Sequence, residues 1–293
     1  VTGHVPSMTV VDLDAAIGFV VKKGDPVDRA RLSYLRTGAS PAEEILAAAE
    51  AGQADGGGWF ATQRGKIPSV DVTCFRLAQL DDLGALGRPG VKRAFDWLAG
   101  RQAADGSWQE AKELAADAPE WAQPGDPEAT LYLTANATFW LTVMGLDVRS
   151  SLPYGDPTPI PYADAALRGA EFIKSSLNSD GTWPSYLVTG WLGAAVMYRQ
   201  DMFYEAARMQ AVLGERLPAM APADAAAMAA ALRRVGVSAD DWTMIAAKRR
   251  LAETQRTDGG WESEDGEVFD VHLTLNVIRA LYEITPPGRS TLL

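Results

Sequence analysis

Cysteine and histidine are nearly missing from this 293-residue chain. Cys74 is the single cysteine, which excludes an intramolecular disulfide and a Cys-rich metal centre. Histidine occurs only as His4 and His272. No apolar run reaches the ~18–20 residues of a transmembrane helix. The N-terminus has neither the basic start nor the long apolar centre of a signal peptide. Positive charge is also in deficit. Against 38 Asp and Glu there are 27 Lys and Arg, a net charge of −11 that argues against nucleic acid or an anionic membrane as the main partner. The expectation is a soluble, cytoplasmic protein, with peripheral membrane association as the further option. Nothing in the sequence sets the oligomeric state.

What is present is alanine-rich apolar content and a repeat. Hydrophobic residues make up 47% of the chain, much of it alanine, and this favours closely packed helices over sheet. The stretch Arg101-Gln102-Ala103-Ala104-Asp105-Gly106-Ser107-Trp108 has three relatives: Gln53…Gly58-Trp59, Asn178-Ser179-Asp180-Gly181-Thr182-Trp183 and Gln255…Gly260-Trp261. Successive tryptophans lie 49, 75 and 78 residues apart, so degenerate units are expected in the two wider gaps. Gly supplies the positive φ of a turn, Asp bonds its backbone N–H groups, and Trp lies against neighbouring helix ends. Such a turn is a fastening between helices rather than a substrate-stacking set.

Helical periodicity fills the intervals between these turns. Val10–Lys23 has Asp12 as its N-cap, and a second helix runs from Asp25-Pro26 to Arg36. A third, to Ala51, starts with a capping box at Ser40-Pro41-Ala42-Glu43. Then follow Ser69–Leu86, Pro89–Arg101, Glu128–Leu146, Tyr162–Leu177, Pro184–Tyr198, Met202–Leu217, Pro222–Val235, Asp240–Thr254 and Phe269–Ile284. They alternate between amphipathic and mostly apolar. In Pro89–Arg101, for example, Val91, Ala94, Phe95 and Leu98 form one stripe. A helix apolar on most faces has to be covered on most faces, so six apolar helices form an inner ring and six amphipathic ones an outer ring. Neither end of the array looks like the polar cap an open solenoid needs. The fold expected is therefore an all-α α6/α6 toroid of about twelve helices. It forms one domain over 10–285, with a flexible lead at 1–9 and a tail at 286–293.

With these residues in view, Val91–Leu98 followed by Gln102–Trp108 resembles the QW repeat of the squalene–hopene and oxidosqualene cyclases. That repeat is related in turn to the β subunits of protein prenyltransferases. The resemblance runs from about Pro41 to Ile284 and implies the same α6/α6 toroid; it does not by itself imply a reaction.

In such a toroid the inner helices run the same way. Their gathered N-termini are expected to make one end mildly electropositive, suited to a diphosphate or carboxylate. The polar residues at these starts are Asp25, Asp28, Ser69, Asp71, Glu128, Ser185, Asp224, Asp270 and His272. Ser69-Val70-Asp71-Val72-Thr73-Cys74 resembles the acid motif of class II terpene cyclases, Asp-x-Asp-Asp-Thr-Ala, with Asp71 on the proton-donating Asp and Thr73 on the Thr. Ser69 and Val72 replace the flanking carboxylates, leaving the Ser69 hydroxyl and the Cys74 thiol as possible partners. An acid that protonates an alkene must stay protonated near neutral pH, while a helix N-terminus favours its carboxylate. Asp71 therefore reads equally as an N-cap.

Phe269-Asp270-Val271-His272 is the second constellation. His272 is placed like the zinc-binding His of prenyltransferase β subunits, although Asp71…Cys74 is one residue too long for their Asp-x-Cys step. Asp71, Cys74 and His272 would supply the O, S and N of a three-ligand zinc site. Cavity walls are expected from Phe75, Tyr132, Asn136, Phe139, Trp140, Tyr186, Trp191 and Tyr198, whose aromatic faces stabilise carbocations in the resembling cyclases. Three functions follow. The first is a cofactor-free cyclase that protonates an isoprenoid or isoprenoid diphosphate (with magnesium for the diphosphate). The second is a zinc prenyltransferase-like enzyme, and the third a non-catalytic toroid that binds an isoprenoid or a partner. Length counts against the first, because the resembling class II cyclases place their site between two toroids and this chain has room for one.

Overall fold

The fold was obtained as a computed structural model, in which residues 10–283 are described; the expected lead at 1–9, Ile284 and the tail at 286–293 lie outside the described residues. Six inner helices run α2 (Pro26–Thr37), α4 (Val70–Asp82), α6 (Pro127–Ser151), α8 (Leu187–Arg199), α10 (Pro222–Arg234) and α12 (Asp270–Leu281). Six outer helices alternate with them: α1 (Leu13–Lys23), α3 (Glu43–Glu50), α5 (Pro89–Gly100), α7 (Ala163–Ser176), α9 (Phe203–Arg216) and α11 (Trp242–Thr254). Each inner helix packs on the next, and α12 packs back on both α2 and α1, so the ring is closed. Between them lie one-turn 3-10 helices at Lys112–Leu114, Glu120–Ala122, Leu217–Ala219 and Glu267–Phe269, and the two-residue antiparallel pairing of β1 (Trp59–Phe60) with β2 (Pro68–Ser69) just before α4.

The Gly-Trp turns fasten the outer ring. Gln53 Nε2 donates to the Gly57 carbonyl of its own turn and to Gly90 at the start of α5. Gln102 bridges Gly106 and Ala165 of α7 in the same way. Gln255 bridges Gly259 and Asp12 ahead of α1, and this bond joins the last repeat to the first. In three of the turns the indole donates to the last turn of the preceding outer helix, at Glu50, Leu98 and Leu251. The third turn departs from this. Leu177 stands where the others have Gln, so no amide bridges to α9, and Trp183 bonds within its own loop to Tyr186.

Gly259 has φ +91°, and a Cβ there would be driven into the Ala15 carbonyl. Gly259→Ala is therefore expected to destabilise the fold by about 2 kcal/mol or more, from left-handed strain plus displaced backbone. A urea midpoint unchanged from wild type would contradict this account of ring closure.

Three boundaries differ from the periodicity. α4 stops at Asp82 rather than Leu86, because Gly84 turns left-handed (φ +67°) and Ala85 N–H returns to the Leu80 carbonyl. α6 continues to Ser151, and its extra turn brings Asp147 to Arg234. α3 lacks the expected capping box: Ala42 precedes it with no side-chain cap, and Glu43 is instead paired with Arg88. Among the described residues no helix is long and apolar enough to cross a membrane.

Candidate functional site

A cavity of about 500 Å³ lies on the toroid axis, within the range that takes a small organic ligand. Residues one or two turns apart on the inner helices form its wall. They are Asp71, Phe75 and Ala78 on α4, Tyr132, Asn136, Phe139 and Trp140 on α6, Val188, Trp191 and Leu192 on α8, Ala227, Ala230 and Ala231 on α10, and Asn276 and Arg279 on α12. The alanines of α10 leave the space that the large aromatics of α6 and α8 face. Trp121, from the one-turn 3-10 helix Glu120–Ala122 between α5 and α6, completes the wall at the mouth.

At that mouth the start of α4 is capped by Ser69, whose hydroxyl accepts the Val72 N–H at 3.0 Å; Asp71 is not the cap. A second carboxylate, Glu110, takes the free N–H groups. It is 5% exposed and accepts from Ser69 Oγ (2.7 Å), Val70 N (3.0 Å) and Asp71 N (2.9 Å). Burial, helped by the Asp71 charge, pushes the Glu110 carboxyl above its ordinary value, while these donors pull the other way. The first turn of α4 is thus satisfied by Glu110, and the Asp71 side chain is released into the cavity. There its Oδ2 accepts from Trp121 Nε1 and its Oδ1 from the Tyr132 hydroxyl, both at 3.0 Å. Asn136 Nδ2 donates to the Tyr132 oxygen at 3.2 Å. Burial, and next the Asp71 charge, raise the Tyr132 pKa, so the phenol keeps its proton and donates it.

Glu110→Ala would strand the Ser69 hydroxyl and two backbone N–H groups. A loss of about 2–3 kcal/mol is expected in a urea titration, and a change below about 1 kcal/mol would mean that water replaces the carboxylate without penalty.

The inner end of the cavity is closed by a lattice of ion pairs. Arg234 binds Asp81 and Asp147, Arg279 binds Asp81 and Asp82, and Arg31 binds Asp82 at 2.5 Å with Asp28 at 3.7 Å. Beyond this septum a second hollow of about 570 Å³, lined by Tyr34, Asp81, Asp147, Arg234 and Arg279 among others, opens at the C-terminal ends of the inner helices.

Several expected site residues lie elsewhere. Thr73 is fully buried and accepts the Trp59 N–H at 3.0 Å, so it belongs to the first Gly-Trp turn. Asp270 is 2% exposed and holds the fourth turn, accepting from Ser263 N and Arg256. Tyr186 stands outside the cavity wall, edge-on to Tyr132, and Tyr198 packs on Phe203 at the other end of α8. Trp140, in contrast, faces the cavity and not the outer ring.

The zinc set is not assembled. Among the described residues no group of three His, Cys, Asp or Glu side chains is placed to hold a metal. Cys74 is 1% exposed, and burial pushes its thiol well above the ordinary value. His272 Nδ1 lies 3.1 Å from the Arg31 guanidinium; burial and that positive neighbour lower its pKa, leaving a neutral ring beside a cation. The helix N-termini at the mouth carry acidic residues that oppose their dipoles. Acidic residues occupy the first turn of five inner helices, Asp28, Asp71, Glu128, Asp224 and Asp270, with none on α8.

Trp121, Glu110, Arg31, Arg234 and Arg279 were not among the residues expected from the sequence. For Arg234 and Arg279 the available signal was charge on mostly apolar inner helices; α2, which carries Arg31, is charged throughout.

By sequence, no protein-family model matches the chain, and no curated protein matches it. Solved structures do. A protein from Actinoplanes superposes with TM-score 0.55 at 15% identity, over 92% of this chain and 97% of that one. The type II terpene cyclase MstE from Scytonema, as a variant in complex with geranylgeranyl dihydroxybenzoate, superposes with TM-score 0.55 at 14% identity, over 92% and 95%. Its apo form gives 0.53 at 14% identity, over 92% and 96%. One toroid thus spans nearly all of a chain that bears the type II terpene cyclase name, and the length argument against this class falls for that neighbour. At such identities the likeness shows the fold alone, and that fold is a terpene cyclase-like α/α toroid.

Proposed function

We propose that this protein is a terpene cyclase-like enzyme in which Asp71 starts the cyclisation of an isoprenoid by protonating a carbon–carbon double bond. The observation that carries the reading is the release of Asp71 from helix capping into an aromatic cavity, with one oxygen held by Trp121 and the other by Tyr132.

In the first step the Asp71 O–H bond breaks and the alkene π pair takes the proton, leaving a tertiary carbocation. Neighbouring double bonds then close on that cation in turn. Phe75, Tyr132, Phe139, Trp140 and Trp191 line the space it would occupy, and an aromatic face turned to a cation is worth about 0.5–2 kcal/mol. Loss of one proton from the final cation balances the one gained, and the product is an isomer of the substrate. With Glu110 on the α4 N–H groups, the helix terminus no longer draws the Asp71 carboxylate toward itself, the conflict that made a cap the competing reading. Trp121, half exposed at the mouth, holds one oxygen of the acid.

The test is a reaction in D2O with polyprenyl substrates, followed by mass spectrometry. A cyclised product carrying one solvent deuteron is expected. A product that forms without deuterium, or none with any isoprenoid tried, would sink the proposal.

A further inference from the structure

Resting on the reading of Asp71 as the acid, we infer that the isoprenoid taken by this cavity carries an uncharged head, such as an alcohol, a neutral ester or a plain hydrocarbon end, and not a diphosphate. A diphosphate is bound where cations or free N–H groups converge on it. Among the described residues neither end of the cavity offers them.

At the mouth, the helix dipoles that would attract an anion are offset by Asp28, Glu128 and Asp224 in the first turns of three inner helices. The N-terminus of α4 already holds an anion, the buried Glu110 carboxylate. Glu264 and Asp265, in the segment leading to α12, act on Asp224 strongly enough to help burial raise its pKa, so acidic charge accumulates there. Arg256, in the same segment, is held by Asp258 and Asp270.

At the inner end, the cations that line the cavity are Arg234 and Arg279, and each is bound to two carboxylates. Together with Arg31 they face Asp81, Asp82 and Asp147, three cations against three carboxylates, so the septum as a whole has no positive charge to spare. It still presents hydrogen-bonding groups, among them Asn276, which suit a neutral polar head. Placing a multiply charged anion at either end sets like charges together, a cost of several kcal/mol. The apolar middle wall is indifferent to the head, so the two ends decide the substrate class.

The experiment compares geranylgeraniol and farnesol with their diphosphates, the latter with magnesium present. Turnover is followed by gas chromatography of extracted products, and binding by quenching of intrinsic tryptophan fluorescence. The alcohols are expected to bind, and any turnover to favour them by about 100-fold or more in kcat/KM. Diphosphate binding should be weaker and should improve as salt is raised, because screening relieves repulsion. Asp224→Asn, which removes one mouth charge without touching the cavity wall, should improve diphosphate binding several-fold and leave alcohol binding unchanged. Diphosphates that bind or react as well as the alcohols would overturn the inference and leave Asp71 as the acid. Alcohols that bind preferentially but are never cyclised would instead remove the catalytic reading while supporting the neutral head. Failure of the alcohols to bind at all would overturn the inference too.

Discussion

Asp71→Asn is expected to reduce turnover by about 10²–10⁴-fold, the contribution a positioned general acid makes, while leaving the fold intact. The amide is isosteric, and its oxygen can still accept from Tyr132 or Trp121, so the cavity keeps its shape. What it lacks is a transferable proton. Because Ser69 and Glu110 hold the start of α4, the substitution removes no helix cap, and stability should change by less than about 1 kcal/mol. The measurement is a pair: product formed per unit time, and the urea midpoint. Lost activity with an unchanged midpoint fits the acid. Activity within threefold of wild type would eliminate Asp71 from the chemistry, and a large fall in midpoint would return it to a structural role.

Asp81→Asn tests the septum, and its expected effect is on stability, about 3–5 kcal/mol. Asp81 is 8% exposed and shared by Arg234 and Arg279. Without its charge two guanidiniums near the toroid axis are left with Asp82 and Asp147 alone. Burial of the Asp81 carboxyl would raise its pKa, but the charges of Arg279 and Arg234 outweigh this and hold it below the ordinary carboxylate value. The sign for pH follows. A carboxyl whose folded pKa lies below its unfolded one contributes its full stability above the unfolded value and loses it as pH falls through the folded one. Wild-type protein should therefore lose stability steeply on acidification below the ordinary carboxylate range. The variant should begin less stable at neutral pH and show a shallower acid limb. Urea titrations from neutral pH into that range report both quantities, and a variant within about 1 kcal/mol of wild type at neutral pH would show that the septum contributes little to the fold.

How far the site could be read in advance depends on how local each interaction is. Asp71, Phe75, Tyr132, Asn136, Phe139, Trp140 and Trp191 were legible because one helix periodicity places each on the inward stripe of an inner helix, and the structure brings them to one cavity. Tyr186 and Tyr198 share the same helix region and the same chemistry. Yet the first precedes the regular part of α8 and the second sits a turn too far along it to reach that cavity. Trp121 lies in a one-turn 3-10 helix, too short to leave a period in the sequence. Thr73 and Asp270 matched motif positions but point to the Gly-Trp turns, because the inward face of a helix covers only part of its circumference.

The sequence by itself determined the twelve alternating helices and the turns that fasten them. These are short-range matters: a stripe recurring every three or four residues, a glycine that can take positive φ, and a glutamine one turn before it. Only the tertiary structure decided whether Asp71 is a cap or a cavity group, because Glu110, the residue that relieves it of capping, comes from 39 residues along the chain. Only ring closure decided that Arg31, Arg234 and Arg279 meet Asp81, Asp82 and Asp147, which belong to five different helices. Ion pairs across a ring leave no period in the chain, since charge compensation depends on distance in space and sequence pattern records only distance along the helix.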